Sequence, residues 1–153
     1  MEFALELFTP ALFSQLRPLL NEHYAELALE DSVNVPSTAP YFSLEDAGLL
    51  RVFVAREAND IVGYAFFSVV KNPQYGDALH AKQDLMFLTR AARRGLDGVV
   101  FMKWCDEQLK AEGVEVIYRH LNVKQPHDAI LTRMGYDLRE RVYTRRVNPC
   151  AQV

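Results

Sequence analysis

The stretch from Asp84 to Gly98 limits the possible fold more than any other part of the sequence. A carboxylate at Asp84 opens an apolar run that predicts a buried strand, and a loop with two arginines and two glycines follows. An amphipathic helix is predicted from Gly98 to Gly113. Glycine lets a backbone approach a ligand closely, and the first N–H groups of a helix have no intrahelical acceptor. The stretch therefore predicts an anion site, with Arg93 and Arg94 adding positive charge for a group such as pyrophosphate.

Length and charge favour one ordinary globular domain. The chain has 153 residues, of which 50% are hydrophobic and 24% are charged, and its net charge is -3. A chain of this size buries about 70% of its unfolded surface, so it needs no metal or disulfide for stability. We therefore expect a single domain over residues 1–153. The acidic balance makes nucleic acid an unlikely partner, although arginines cluster in residues 90–94 and 139–146.

The sequence carries no pattern of a secreted, membrane-spanning or zinc-binding protein. Its first residues lack a basic region followed by an apolar core, and no apolar run is long enough to cross a bilayer. The two cysteines, Cys105 and Cys150, lie at no zinc-ligand spacing from histidines. We expect a cytoplasmic protein with no membrane association and no metal site.

The predicted chain has an α/β organisation with both strands and helices. A helix opens at Thr9-Pro10, and Pro18 is expected to kink or split it. Residues 30–40 are predicted to form a loop. The remaining strands and helices are predicted as strands at 3–8, 49–57, 61–70, 79–88, 114–121 and 136–147, and helices at 41–48, 98–113 and 128–134.

The loop from Arg93 to Gly98, before the helix predicted at 98–113, resembles the acyl-CoA-binding loop of the GNAT family of N-acetyltransferases. The family loop reads Gln/Arg-x-x-Gly-x-Gly/Ala, and Arg93 takes its first place while Gly98 takes its last. Leu96 stands where the middle glycine is expected, and Gly95 lies one residue earlier. The position of this loop between a strand and a helix agrees with the family pattern.

Four further stretches extend this resemblance over nearly the whole chain. Residues 18–27 look like the first helix of small GNAT proteins of phages and prophages, and residues 61–64 are similar to the family's central hairpin. Residues 74–84 follow a His-Tyr…Ala-x-x-Asp pattern with Gln74 in place of the histidine. Residues 131–136 match the family ending Tyr-x-Lys-Leu-Gly-Phe with leucine in place of the tyrosine.

The resemblance implies both a fold and an activity. The fold is an α/β (α+β) GNAT-like domain with a central mixed, mostly antiparallel sheet of about six to seven strands, flanked by helices on both faces. The activity is acetyl-CoA-dependent N-acetyltransfer, in which an amine attacks the thioester directly. The implied partners are acetyl-CoA and an unidentified amine acceptor, and homodimerisation stays open.

The same resemblance assigns residues to the acetyl-CoA site. Backbone groups near Phe87 and Leu88 would pair with the pantetheine arm as an added strand does. A backbone N–H at the end of this strand would polarise the thioester carbonyl. The residues that would hold the pyrophosphate are Arg93, Arg94, Gly95, Leu96, Asp97, Gly98 and Val99.

Three residues are candidates for the base that deprotonates the acceptor amine, because only a neutral amine attacks. Asp84 matches a catalytic carboxylate of some GNAT enzymes, and His80 shares its strand face by alternation. His120 lies near the end of the next strand, where the family's two central strands diverge. The alternatives are structural: Asp84 anchors a hydrogen bond or orients a substrate cation, His120 is a satisfied structural histidine, and His80 is a partly exposed strand residue.

Leu131 replaces the tyrosine that the family often uses as a general acid for the departing thiolate, and leucine cannot donate a proton. This replacement keeps open a catalytically weak GNAT-like protein that binds acyl-CoA or a partner and regulates it. A phage-type modifier of nucleic acid or host proteins is a third hypothesis, which the arginine clusters favour and the acidic net charge opposes.

Overall fold

The computed structural model describes residues 1–27, 37–123 and 126–148, and its elements follow the predicted order as far as the last helix. Two short 3-10 turns, Pro73–Tyr75 and Arg90–Ala92, precede the fourth strand and the third helix. The strands and helices are β1 (Glu2–Glu6), α1 (Pro10–Leu27), α2 (Ala39–Asp46), β2 (Leu50–Glu57), β3 (Asp60–Lys71), β4 (Leu79–Leu88), α3 (Asp97–Ala111), β5 (Val114–Tyr118) and α4 (Asp128–Arg133).

The five strands form one sheet in the order β1-β2-β3-β4-β5. Neighbouring strands are antiparallel except β4 and β5, which are parallel because α3 returns the chain between them. Ala58 and Asn59 make the tight turn of the β2–β3 hairpin with φ angles of 47° and 74°. The expected mixed, mostly antiparallel sheet is therefore confirmed, but in the described residues it has five strands instead of the six to seven that we expected.

The strand expected at residues 136–147 is wrong, because this part of the described chain contains neither strand nor helix. Alternating polar and apolar residues suit a strand, but a strand also needs a neighbour that pairs its N–H and C=O groups. The segment does not pair with the sheet, and its large apolar side chains are 71–89% exposed: Leu138, Val142, Tyr143 and Val147.

Helices cover both faces of the sheet, as expected. On one face, α1 packs its buried leucines, including Leu12 and Leu16, against Val52 and Val54 of β2. On the other face, α3 packs Phe101, Cys105 and Leu109 against Phe53, Ala65 and Phe67. Side chains of successive strand residues point to opposite faces, which is why one strand supplies both cores.

Two expectations about the helices are corrected. Of the kink or split expected at Pro18, the split is wrong, because α1 runs without interruption from Pro10 to Leu27. Pro18 lies on the exposed side of that helix, where water can bond the carbonyl group that lost its N–H partner. The second helix begins at Ala39, so the loop predicted at residues 30–40 ends earlier than expected. Residues 28–36 of that prediction lie outside the described residues.

Candidate active site

A cleft opens where β4 and β5 diverge. The last paired residues of these strands are Lys82 and Tyr118, so the β4 backbone from Gln83 to Leu88 has no partner on that side. The cleft encloses about 720 Å³, within the usual range for small-molecule sites. Its walls come from the last turns of α1, the unpaired edge of β4, the start of α3, the residues after β5, and α4.

Gly63 on β3 helps to fix the β4 wall of this cleft. A Cβ atom at this position would lie 2.8 Å from the carbonyl oxygen of Phe87 and would collide with the Leu88 side chain. Glycine therefore allows Leu88 to pack directly over the neighbouring strand.

Most of the residues predicted to bind the acyl-CoA line this cleft: Phe87, Leu88, Arg93, Gly95, Gly98 and Val99. Arg94, Leu96 and Asp97 do not, and the Leu96 side chain is 71% exposed. Gly95 has a φ of 52°, a left-handed conformation that favours glycine. The glycine that the loop needs is therefore Gly95, one residue before the place that the family pattern indicated.

Both loop arginines are held in ion pairs. Arg93 donates to the Leu88 carbonyl oxygen at 2.8 Å and to Glu26 of α1 at 2.7 Å, and its guanidinium lies over the Phe87 ring. Arg94 is more exposed and pairs with Glu57 at 3.3 Å. Arg93 thus ties α1, the end of β4 and the loop together at the mouth of the cleft.

Asp84 lies at a β-bulge in β4. The β3 register passes from Leu85 to Gln83, so Asp84 is the extra residue without a β3 partner. Its carboxylate lines the cleft and accepts a hydrogen bond from the hydroxyl of Tyr41. Burial, followed by the hydrogen bond to Asp84, raises the pKa of Tyr41. Tyr41 therefore stays protonated and donates a hydrogen bond to the carboxylate, and it is not a second base.

The two candidate histidines lie in different surroundings. His120 follows the end of β5 and lines the cleft with an exposed side chain. His80 is only 5% exposed, its ring packs between Tyr75 and Tyr118, and its Nδ1 bonds the Asn72 amide at 3.2 Å. The structure therefore brings Asp84 and His120 to one cleft and leaves His80 outside it, buried and not partly exposed.

Sequence reasoning missed an ion pair between a buried arginine and a half-buried aspartate at the point where the strands part. The guanidinium of Arg119, one residue after β5, donates to Asp106 of α3 at 2.6 Å and to the Gln83 side chain of β4. The hydroxyl of Tyr136 donates to the other Asp106 oxygen at 2.8 Å, and burial raises the pKa of Tyr136 to about 12. This network joins β4, β5, α3 and the segment after α4 behind the cleft.

Sequence reasoning also missed a pair on the α1 wall. His23 lines the cleft, and its Nδ1 lies 2.7 Å from the hydroxyl oxygen of Tyr64, which is fully buried. The His23 ring stacks on Phe87 with 4.9 Å between ring centroids. A helical pattern shows which face of α1 is buried, but it does not show that a β3 tyrosine lies opposite.

Leu131 of α4, which the sequence resemblance aligned with a tyrosine of the family, is buried and lines the cleft. Within residues 1–27, 37–123 and 126–148, no group of three or more His, Cys, Asp or Glu side chains could hold a metal ion. In the same part of the chain, no helix is both long and apolar enough to cross a bilayer.

No family model matches the sequence, and no curated protein matches it either. Solved structures do match. A predicted acetyltransferase from Clostridium acetobutylicum with acetyl-CoA has a TM-score of 0.75 at 11% identity, covering 95% of this chain and 97% of that one. A ribosomal-protein-alanine N-acetyltransferase from Brucella melitensis biovar Abortus 2308 has a TM-score of 0.69 at 15% identity, covering 95% and 99%.

A third similar structure is an aminoglycoside acetyltransferase from an uncultured soil metagenomic sample in complex with sisomicin. Its TM-score is 0.69 at 16% identity, and the match covers 97% of each chain. Identities this low compare folds and not substrates. The chain has the α+β fold of these acetyltransferases, which is the GNAT fold that the sequence motifs implied.

Proposed function

We propose that this chain is a GNAT N-acetyltransferase that moves an acetyl group from acetyl-CoA to an amine. The observation that carries the proposal is the cleft at the β4–β5 fork, which exposes a strand edge beside a glycine-containing loop and a helix N-terminus. An unpaired strand edge can bond an extended amide chain, and a helix N-terminus favours a phosphate group. Coenzyme A carries both groups, because its pantetheine arm is an extended amide chain and its pyrophosphate supplies the phosphate.

The residues of the cleft divide this work between them. The β4 backbone at Phe87 and Leu88, which has no strand partner on the β5 side, would bond the pantetheine amides beside the hydrogen bond that the Leu88 carbonyl oxygen accepts from Arg93. The loop from Arg93 to Val99 would hold the pyrophosphate, and Arg93 would exchange part of its pairing with Glu26 for the phosphate oxygens. The space around Gly98 is open to this approach, because a Cβ atom built there would meet only the Leu88 side chain, at an ordinary contact distance of 3.7 Å.

The reaction needs a base more than it needs an acid. Asp84 or His120 would take the proton of the acceptor ammonium, directly or through water, since both line the cleft. The amine nitrogen then bonds the acyl carbon, the carbon–sulfur bond breaks, the thiolate leaves, and the nitrogen gives up its second proton to water to form the amide. Leu131 supplies no proton, so water or solvent-exposed groups protonate the thiolate, which is a tolerable leaving group.

The direct test is release of free CoA thiol from acetyl-CoA, followed with a thiol reagent across a panel of amines. The panel would include aminoglycosides and peptides with an N-terminal alanine, which are the acceptor classes of two similar structures. We expect acceptor-dependent thiol release with at least one class and none with the matched N-acetylated compounds. Acetyl-CoA binding with no release for any amine would remove the catalytic part of the proposal.

The second candidate function is an acyl-CoA-binding protein that turns over slowly or not at all and acts by regulating a partner. Leu131 favours it, because leucine, which cannot donate a proton, stands at the cleft wall where the resemblance places the family's tyrosine. Acetyl-CoA binding and thiol release, measured together, separate the two functions. Both functions require binding, and only the enzyme releases thiol.

A further inference from the structure

The buried pair of His23 and Tyr64 determines where the imidazole proton lies. Tyr64 is 0% exposed, and among the described residues its hydroxyl group bonds only His23 Nδ1, at 2.7 Å. If Nδ1 carried the proton and donated it, the buried tyrosine O–H would have no acceptor in this part of the chain. A buried donor without a partner costs about 1–3 kcal/mol. The tyrosine hydroxyl therefore donates, and Nδ1 accepts.

The imidazole is also neutral. Burial lowers the pKa of His23 to about 4, with Glu26 opposing and Arg93 reinforcing this shift more weakly. A neutral imidazole whose Nδ1 accepts a hydrogen bond carries its single proton on Nε2. Nε2 has no hydrogen-bond partner among residues 1–27, 37–123 and 126–148.

The ring stands at the cleft wall beside the free edge of β4. It lines the same cleft as Asp84 and stacks on Phe87, whose backbone has no partner on the β5 side. Phe87 lies along β4 between Asp84 and the phosphate-binding loop, so a donor stacked on it faces the part of an acyl-CoA that runs from the pyrophosphate towards the candidate base. The thioester is the end of that part nearest the base.

We infer that His23 is a neutral hydrogen-bond donor whose Nε2–H binds the thioester carbonyl oxygen of the acyl-CoA, with Tyr64 as the residue that positions it. This role rests on the proposed function. When the amine attacks, negative charge collects on that oxygen until the carbon–sulfur bond breaks, so a fixed donor stabilises the transition state more than the bound thioester. A neutral imidazole can do this without giving up its proton.

A matched pair of substitutions tests the donor. In His23→Gln the side-chain amide reaches the place of Nε2 and keeps an N–H there, whereas in His23→Asn the shorter amide can only replace Nδ1. We expect His23→Asn to lower kcat by about 10²–10³-fold with little change in KM for acetyl-CoA, and His23→Gln to stay within about tenfold of the wild type. Equal losses in the two variants would overturn the inference.

Binding of free CoA separates the thioester carbonyl from the amide carbonyls of the pantetheine arm. CoA keeps the amides and lacks the acyl group, so its dissociation constant should be the same in wild type, His23→Gln and His23→Asn. A weakening of CoA binding in His23→Asn that matches its loss of kcat would assign His23 to the arm, against our inference.

Nitrogen NMR of the histidine rings gives a readout that needs no turnover. Nε2–H and Nδ1–H tautomers have different nitrogen shifts, and His23→Gln identifies the signal among the four histidines. We expect the Nε2–H form at neutral pH, loss of this preference in Tyr64→Phe, and a shift of the Nε2 signal on adding acetyl-CoA but not CoA. An Nδ1–H tautomer, or bound acetyl-CoA with an unmoved signal, would refute this role alone, whereas failure to bind acetyl-CoA would refute the proposed function as well.

Discussion

Arg119 and Asp106 form an ion pair at the point where the sheet divides, with 2.6 Å between Nη2 and Oδ1 and side chains that are 1% and 21% exposed. The pair lies directly behind the free edge of β4, and Gln83 bonds the same guanidinium. In a continuous sheet the backbones at these positions would pair with each other. Here the side chains of Gln83 and Arg119 bond across the gap between β4 and β5, and this bond fixes the width of the cleft.

Removing one partner of this pair should cost much more than removing an exposed ion pair. We expect Arg119→Met to lower the free energy of unfolding by about 3–5 kcal/mol, because Asp106 is then left inside without its cation. The matched control is Lys71→Met, which breaks a pair whose side chains are 65% and 91% exposed and should change stability by less than about 1 kcal/mol. Urea unfolding measures both, and similar costs would show that the Arg119 network is not structural.

Asp84 should act as a base whose importance falls as pH rises. We expect Asp84→Asn to lower kcat/KM by about 10²-fold near neutral pH, with a smaller loss at alkaline pH, where the amine is already deprotonated. Tyr41→Phe should cost less, because it removes only the hydrogen bond that orients the carboxylate. Asp77→Asn, an exposed carboxylate outside the cleft, is the control. A pH-independent loss in Asp84→Asn would assign this residue to structure or to substrate binding.

Leu131 offers a test of the missing general acid. Because Leu131 is buried and lines the cleft, Leu131→Tyr should place a hydroxyl group inside it and leave kcat equal or higher. Leu131→Ala should act through lost packing, at about 2–5 kcal/mol of stability. Steady-state kinetics with thermal unfolding distinguishes these effects. A tyrosine variant that folds but no longer binds acetyl-CoA would show that Leu131 does not occupy the place of the family's tyrosine.

His23 should make stability depend on pH in the mildly acidic range. The unfolded histidine takes up a proton below its ordinary pKa of 6.5, whereas the folded one does so only near pH 4. Between these values the unfolded state binds more protons, so the free energy of unfolding falls as pH falls, by about 3 kcal/mol in total. His23→Gln should lack this component. Denaturant unfolding from pH 7 to pH 4 checks it, and parallel curves for the two proteins would contradict a buried neutral His23.

The sequence was sufficient for the local features of the fold. Apolar periodicity predicted α1, the β2–β3 hairpin, β4 and α3, and turn residues marked their ends, as at Gly113, whose φ is 91° after α3. The predicted strand at 136–147 failed because a strand depends on a neighbour that its own residues do not specify.

The parts of the candidate site that could be proposed from the sequence are those formed by one contiguous segment. The loop from Arg93 to Gly98 is contiguous, so its residue types alone indicated an anion site. The bulge at Asp84 depends on the β3 register, and the contact of His23 with Tyr64 joins residues 41 positions apart. Arg119 looked like an ordinary charged residue at the end of a strand, and only the packing of α3 and Tyr136 around it shows its burial.

The central claim is that the β4–β5 cleft binds acetyl-CoA, and titration calorimetry with wild type, Gly98→Ala and Gly98→Asp tests it most directly. An added methyl group meets only Leu88, at 3.7 Å, so Gly98→Ala should bind acetyl-CoA nearly as well as the wild type. Gly98→Asp places a carboxylate where the pyrophosphate would lie and should weaken binding by at least about tenfold, or about 1.4 kcal/mol. Absence of acetyl-CoA binding to the wild type, or equal affinity in Gly98→Asp, would contradict the account.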